Sequence, residues 1–80
     1  MTTLQTRVRD TLAVLHDMTG IEDTADLREA LALDSLDVVE LETELGFMFG
    51  VEVDLVEAFR DGPVSVQGLA ALLARKLGEG

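Results

Sequence analysis

One serine stands out as a residue that could take part in chemistry. Ser35 lies in the run Asp34-Ser35-Leu36-Asp37, where a loop is predicted to turn into an amphipathic helix. A catalytic serine needs a general base within hydrogen-bond reach and a third group that orients the base. The only histidine, His16, is predicted on a different helix, and the Gly-x-Ser-x-Gly turn of hydrolases is absent. The hydroxyl is therefore better suited to being modified than to catalysing a reaction, and we expect no enzymatic activity.

The charge of the chain is concentrated around this serine. Sixteen Asp and Glu against six Lys and Arg give a formal net charge of −10. Nine of the acids, and none of the bases, lie between Glu29 and Phe59. Nucleic acids and anionic membranes are bound through Lys and Arg, so the composition argues against both as partners. Although a solvated acidic face would explain the same pattern, we interpret it as a surface that docks onto basic patches of other proteins.

Length and cysteine content limit the class of protein. Eighty residues predict a single domain spanning 1–80, with no room for a deep enzyme cleft. The chain has no cysteine, so it has neither a disulfide framework nor a thiolate metal site. Residues 1–6 lack the plan of a signal peptide, and no apolar run approaches the ~18 residues of a membrane span. We expect a cytoplasmic protein, monomeric on its own, with no bound metal.

Hydrophobic periodicity predicts an all-α fold. We expect a bundle of four helices, three main ones and a short one that is third in chain order, with a long first loop. The first helix is expected from about Leu4 to Met18, with Thr2 or Thr3 as its N-cap and Thr19-Gly20 at its end. The other helices are expected over Ser35–Phe49, from Asp54 to about Arg60, and from a cap at Ser65 to about Leu77.

The loop over residues 21–34 carries four apolar residues that are expected to pin it to the core, and a short turn near Asp26. These residues are Ile21, Leu27, Leu31 and Leu33. A long pinned loop without regular structure is uncommon and often functional.

The second helix is predicted to have two apolar faces, since residues at 100° steps separate into two groups. The core face comprises Val38, Leu41, Leu45, Met48 and Phe49. The opposite face comprises Ser35, Leu36, Val39, Thr43 and Phe47, and is flanked by Asp37, Glu40, Glu42 and Glu44. We expect Phe47 to be exposed on the serine face, with burial under the third helix as the alternative. A plain helix cap at Ser35 would not explain this second strip.

The run Leu31-Ala32-Leu33-Asp34-Ser35-Leu36-Asp37-Val38-Val39-Glu40-Leu41 resembles the phosphopantetheine attachment segment of acyl carrier proteins. The predicted order of four helices, the long first loop and the chain length match that family too. The similarity extends from about Leu27 to Leu77, and the chain resembles a freestanding, discrete carrier.

The resemblance implies a specific function. Ser35 would receive 4′-phosphopantetheine from coenzyme A, with Asp34 and Leu36 beside it, and the arm would carry acyl groups as thioesters between separate enzymes. The implied partners are a phosphopantetheinyl transferase and an acyltransferase, ketosynthase or acyl or aminoacyl ligase with basic docking patches. The residues that these partners would grip are Asp37, Val39, Glu40, Thr43, Glu44 and Phe47.

The departures from the family bear on the pathway. Ala32 stands where many carriers have Gly. Fatty-acid-type carriers usually place acids where this chain has Gly46, Phe47 and Met48, and Pro where it has Asp54. These differences favour polyketide or other secondary-metabolite biosynthesis over fatty acid synthesis. A peptidyl or aminoacyl carrier, a carrier of fatty acid synthesis and an unmodified helical adaptor remain as alternatives.

Overall fold

A computed structural model of the chain describes residues 3–78. These residues form α-helices and no β-strand, as the hydrophobic periodicity predicts. In chain order the helices are α1 (Leu4–Leu15), α2 (Leu27–Ala30), α3 (Ser35–Phe49), α4 (Leu55–Asp61) and α5 (Val66–Gly78). The prediction of four helices is wrong, because α2 lies inside the segment that was expected to be a loop. None of these helices is both long and apolar enough to cross a membrane.

The core forms where α1 packs against α5 and α3, and where α3 packs against α4. Its largest fully buried side chains are Leu12, Leu27, Leu41, Leu45, Leu55, Leu69 and Leu73. Burial of one such side chain stabilises the fold by about 1.5–3 kcal/mol relative to leaving it exposed. The core therefore draws on every helix, including the short α2, which contributes Leu27.

The first helix ends at Leu15, three residues before the predicted end at Met18. Thr3 is its N-cap and accepts a hydrogen bond from the Thr6 amide, whereas Thr2, the alternative cap, lies outside the described residues. His16 has extended backbone angles of φ −139° and ψ 154°, which stop the helix. Met18 is still buried, although it reaches the core from the following turn.

Side-chain hydrogen bonds stabilise this early end. The Arg9 guanidinium donates to the Met18 carbonyl oxygen at 2.8 Å, and the Thr19 amide donates to Asp17 at 3.0 Å. The bond from Thr19 also lowers the pKa of the Asp17 carboxyl from its ordinary value. Gly20, at φ +78°, occupies the left-handed region as part of this turn and not as the cap of α1.

The segment before Ser35 is tied to three parts of the bundle. Asp23 accepts hydrogen bonds from Gln5 at 2.7 Å and from Arg9 at 2.8 Å, and its carbonyl accepts from the Gln67 amide. Further along, the Leu27 amide donates to the Val64 carbonyl at 2.8 Å. The expectation that this loop is pinned to the core is confirmed, since Leu27 and Leu33 are buried and Ile21 and Leu31 pack partly against the core.

The end of α3 differs from the prediction at one residue. Met48 was placed on the core face but is 51% exposed, since it lies in the last turn, at the edge beside the middle of α1. Phe49 packs against the core, and the Arg7 guanidinium lies over its ring at 5.0 Å from the centroid. Leu77 is exposed in the last turn of α5. A Cβ at Gly46 would lie 3.1 Å from the Val51 carbonyl oxygen, a tight contact that glycine avoids.

Candidate functional site

The start of α3 is fixed by a reciprocal pair of hydrogen bonds. Asp34 is the N-cap residue, and its Oδ1 accepts from the Asp37 amide at 2.8 Å. Asp37 returns the interaction, because its Oδ2 accepts from the Asp34 amide at 3.1 Å. Such a capping box satisfies two amides that the first turn of a helix would otherwise leave without a partner. Both carboxylates are thus committed to holding the helix start.

Ser35 is the first helical residue after this cap, and its side chain is exposed. Because Asp34 makes the capping hydrogen bond, the Ser35 hydroxyl takes no part in the capping box. The hydroxyl is therefore free to react and accessible from solvent. It also stands at the positive end of the α3 dipole, where added negative charge is stabilised.

The backbone approaching Ser35 is held in an unusual conformation. Ala32 has φ +52°, and it is the one described residue other than glycine in the left-handed region. Adopting that region costs an ordinary residue roughly 1–2 kcal/mol. Immediately after it, the Leu33 amide donates to the Arg28 carbonyl at 2.9 Å, and the Leu33 side chain is buried. A left-handed residue followed by a buried anchor brings Asp34 and Ser35 out to the surface.

The apolar strip, defined as Leu36, Val39, Thr43 and Phe47, leads away from Ser35 along α3. Leu36 is 78% exposed, Val39 46% and Phe47 82%. Thr43 is exposed, and its hydroxyl donates to the Val39 carbonyl at 3.0 Å, which leaves its methyl group available for contact. The prediction that Phe47 is exposed on the serine face is confirmed, and the alternative, burial under the short helix that is now α4, is excluded.

Two of the acids that flank the apolar strip have structural partners. The Glu42 carboxylate accepts from the Leu55 amide at 2.8 Å, so it stabilises the start of α4. Asp37 belongs to the capping box. Glu40 is exposed and Glu44 is half-buried, so these two carboxylates are the better candidates for contact with a partner.

The described residues form no arrangement typical of a hydrolase or a metal site. His16 follows the end of α1, and Asp34 and Asp37 bind backbone amides. No group of three or more His, Asp or Glu side chains within residues 3–78 is placed to hold a metal ion. The group at this site that is best placed to be modified is therefore the Ser35 hydroxyl itself.

Comparisons with protein-family models, with curated proteins and with solved structures found no match for this chain. A functional proposal therefore depends on the residues themselves and on their geometry.

Two bases come together in a way that the sequence did not indicate. Arg28 and Arg60 are 32 positions apart in the chain, yet both line one cavity between α2 and the turn that joins α4 to α5. The Leu27–Val64 hydrogen bond brings these two segments together. Helical periodicity carries no signal for such a contact between a loop and a turn.

Proposed function

We propose that this chain is an acyl carrier protein that holds acyl groups on a 4′-phosphopantetheine arm attached to Ser35. The observation that carries the proposal is the presentation of Ser35: an exposed hydroxyl on the first residue of α3, left out of the capping box beside it. A serine in this setting is accessible to a modifying enzyme, and its modification costs no hydrogen bond of the fold.

The proposed attachment uses coenzyme A as the donor of the arm. The Ser35 oxygen attacks the phosphorus on the pantetheine side of the pyrophosphate, and the hydroxyl proton passes to a base of the transferase. The bond from that phosphorus to the bridging oxygen breaks, and 3′,5′-ADP leaves with the electron pair. The product is a phosphodiester on Ser35 that carries a terminal thiol. The thiol would supply the thioester chemistry that a chain without cysteine lacks.

The residues around Ser35 fit the phosphodiester that the arm would introduce. Backbone amides of the first helical turn attract anions, both through their free N–H groups and through the helix dipole. The neighbouring carboxylates of Asp34 and Asp37 accept from backbone amides, which offsets part of their charge. Asp34 and Leu36 would thus flank the arm at its point of attachment.

The apolar strip supports a role for α3 in docking. Leu36, Val39 and Phe47 expose apolar surface along one line, with the carboxylates of Glu40 and Glu44 on its flank. A complementary partner would offer an apolar groove with a basic rim. Phosphopantetheinyl transferase and an acyltransferase, ketosynthase or ligase of that description are the partners we propose. Such charges raise the rate of association and fix orientation more than they raise affinity.

The lower part of α3 supports secondary metabolism as the setting. Phe47 and Met48 make this end of the helix apolar and exposed where the resemblance to fatty-acid-type carriers leads one to expect acids. A polyketide pathway is therefore our first choice. An aminoacyl or peptidyl carrier would present the same serine, and loading with amino acids against simple acyl groups separates the two.

The modification itself provides the test of this proposal. The purified chain is incubated with coenzyme A and a transferase of broad specificity, and the product is mapped by peptide mass spectrometry. We expect one arm on Ser35 and none on the Ser35→Ala variant. Ser65→Ala is the matched control, because the Ser65 hydroxyl caps α5 by accepting from the Gly68 amide at 3.0 Å. An unmodified wild-type chain would instead favour the helical adaptor, and an adduct on Ser65 would refute the assignment of the site.

A further inference from the structure

The cavity that Arg28 and Arg60 share has a volume of about 300 Å³ and lies between α2, α4 and the turn before α5. Its remaining lining comes from Asp26, Phe59, Gly62 and Pro63. The chain has sixteen acids and six bases, so it is negatively charged overall. Two arginines that line one cavity form a local positive site on it.

The Arg28 guanidinium stacks with its flat face on an aromatic ring, Phe59. It lies over the Phe59 ring at 5.8 Å from the centroid, within the range of a cation–π contact. Phe59 is buried, so the ring is a fixed platform. A guanidinium stacked in this way keeps its in-plane N–H donors available, and these donors match the two oxygens of a carboxylate.

Arg60 forms only a weak ion pair with the neighbouring Glu57. Its contact with Glu57 is 3.4 Å long, and both side chains are mostly exposed, so the pair contributes little. Asp26, the acid in the lining, accepts from the Val64 amide at 3.3 Å and is engaged with the backbone. An incoming anion would gain two guanidinium groups at the loss of one weak surface pair, beside one carboxylate, Asp26, that already accepts from a backbone amide.

The cavity lies within reach of a group attached to Ser35. The Leu33 amide is bonded to the Arg28 carbonyl, and Ser35 follows two residues later, which limits the Cα–Cα distance from Leu33 to Ser35 to about 7.6 Å. The path from Ser35 to the cavity adds the length of the Arg28 side chain to this span, and a flexible phosphopantetheine arm with a thioester at its end is long enough to cover both. The phosphate of the arm stays beside Ser35, whereas the end of the cargo can reach the cavity.

We propose that this cavity binds the free carboxylate of a dicarboxylic acyl group carried as a thioester on the Ser35 arm. The inference rests on the proposed function and names its class of cargo. Arg28 and Arg60 would select malonyl-type cargo over simple acyl cargo by pairing with the terminal carboxylate.

The test compares three loaded forms of the full chain, made with a transferase of broad specificity from malonyl-, acetyl- and unacylated coenzyme A. Side-chain Nε–Hε signals of the five arginines are recorded by NMR and assigned by substitution. Relative to the chain without an arm, we expect the signals of Arg28 and Arg60 to shift in the malonyl form and not in the acetyl or unacylated form. Arg75, exposed in the last turn of α5 and outside the cavity lining, is the internal control.

Substitution gives a second readout. In Arg28→Gln we expect the malonyl-dependent shift of Arg60 to shrink. Hydrolysis of the malonyl thioester, relative to the acetyl thioester, should speed up by about two- to fivefold, as for loss of a surface ion pair. Arg75→Gln should change neither.

Identical arginine signals in the malonyl and acetyl forms would overturn the inference while leaving the carrier function intact. A shift common to all three forms would mean that the arm occupies the cavity, which also overturns it. If none of the three forms can be made on Ser35, the proposed function fails and this inference fails with it.

Discussion

Asp34 and Asp37 accept hydrogen bonds from each other's backbone amides, at 2.8 Å to Asp34 and 3.1 Å to Asp37, and Ser35 lies between them without joining the pair. The two aspartates define where α3 begins, and the serine is left available. The structural role and the proposed chemical role thus fall to different residues within four positions of the chain.

This separation predicts different stabilities for two neighbouring variants. Asp34→Ala removes the N-cap and should lower the free energy of unfolding by about 0.5–2 kcal/mol. Ser35→Ala removes an exposed hydroxyl outside the capping box and should change it by no more than about 0.5 kcal/mol. Urea titrations of the two variants and the wild type check this. A Ser35→Ala protein that loses as much stability as Asp34→Ala would show that the hydroxyl is structural.

Phe47 should matter for partner binding and not for folding. Because its ring is 82% exposed, Phe47→Ala is expected to leave the melting temperature nearly unchanged. If Phe47 anchors a partner, the same change should weaken binding by more than about 1–2 kcal/mol. Kinetics of acyl transfer with a cognate enzyme measure this, and loading of the arm should be little affected.

Phe59→Ala is the matched control for that variant. The Phe59 ring is buried, so its removal should destabilise the fold by about 3–5 kcal/mol. A Phe47→Ala protein that melts as early as Phe59→Ala would place Phe47 in the core and end its proposed role in docking.

The positive φ of Ala32 predicts a stabilising substitution. Gly adopts this region without the conformational cost of roughly 1–2 kcal/mol that Ala has there. Gly also raises the entropy of the unfolded chain, which lowers the free energy of unfolding by about 0.4–1 kcal/mol. Ala32→Gly should therefore raise the free energy of unfolding by about 0.5 kcal/mol. Ala13→Gly, at an exposed position inside α1, should lower it by about 1 kcal/mol. A loss of stability in both variants would argue against the left-handed conformation of Ala32.

Asp23 predicts a pH dependence at the anchor of the loop. The hydrogen bond from Gln5, and to a lesser extent Arg9, hold the pKa of the Asp23 carboxyl below its ordinary value, against the opposing effect of desolvation. A lowered pKa in the folded state adds stability above the unfolded value of about 3.9, and that stability is lost as the pH falls through the folded pKa.

Asp23→Asn should consequently melt earlier than the wild type at pH 7, and the difference should shrink as the pH drops below about 4. Glu22→Gln is the control, since Glu22 is an exposed neighbouring carboxylate outside this network. Thermal melts across the acidic range provide the measurement. A difference that stays constant from pH 7 to acid would contradict the linkage.

The helix that carries the site was predictable because its signals are local. Asp34 and Asp37 mark its start, Gly50 marks its end with φ +68°, and the period of its apolar residues sets its orientation. The exposure of Phe47 agrees with the angular position of that residue, away from the core face. Fifteen residues in regular register leave little freedom for tertiary contacts to shift the boundaries.

The errors arose where distant contacts outweigh local pattern. The apolar stripe of α1 continues to Met18, but Arg9 binds the Met18 carbonyl and the helix stops at Leu15. The four residues of α2 are too few to show a period. The meeting of Arg28 and Arg60 depends on a hydrogen bond between Leu27 and Val64, which no local signal predicts.

The intact mass of the protein purified from its native host tests the carrier function most directly. If the chain is a carrier, it should be heavier by one phosphopantetheine on Ser35, with a further population that bears an acyl group. Neutral hydroxylamine should remove the acyl mass and leave the arm, since it cleaves thioesters and not the phosphodiester. A protein that has only the mass of the unmodified chain, or an adduct on any residue other than Ser35, would refute the carrier function assigned to Ser35.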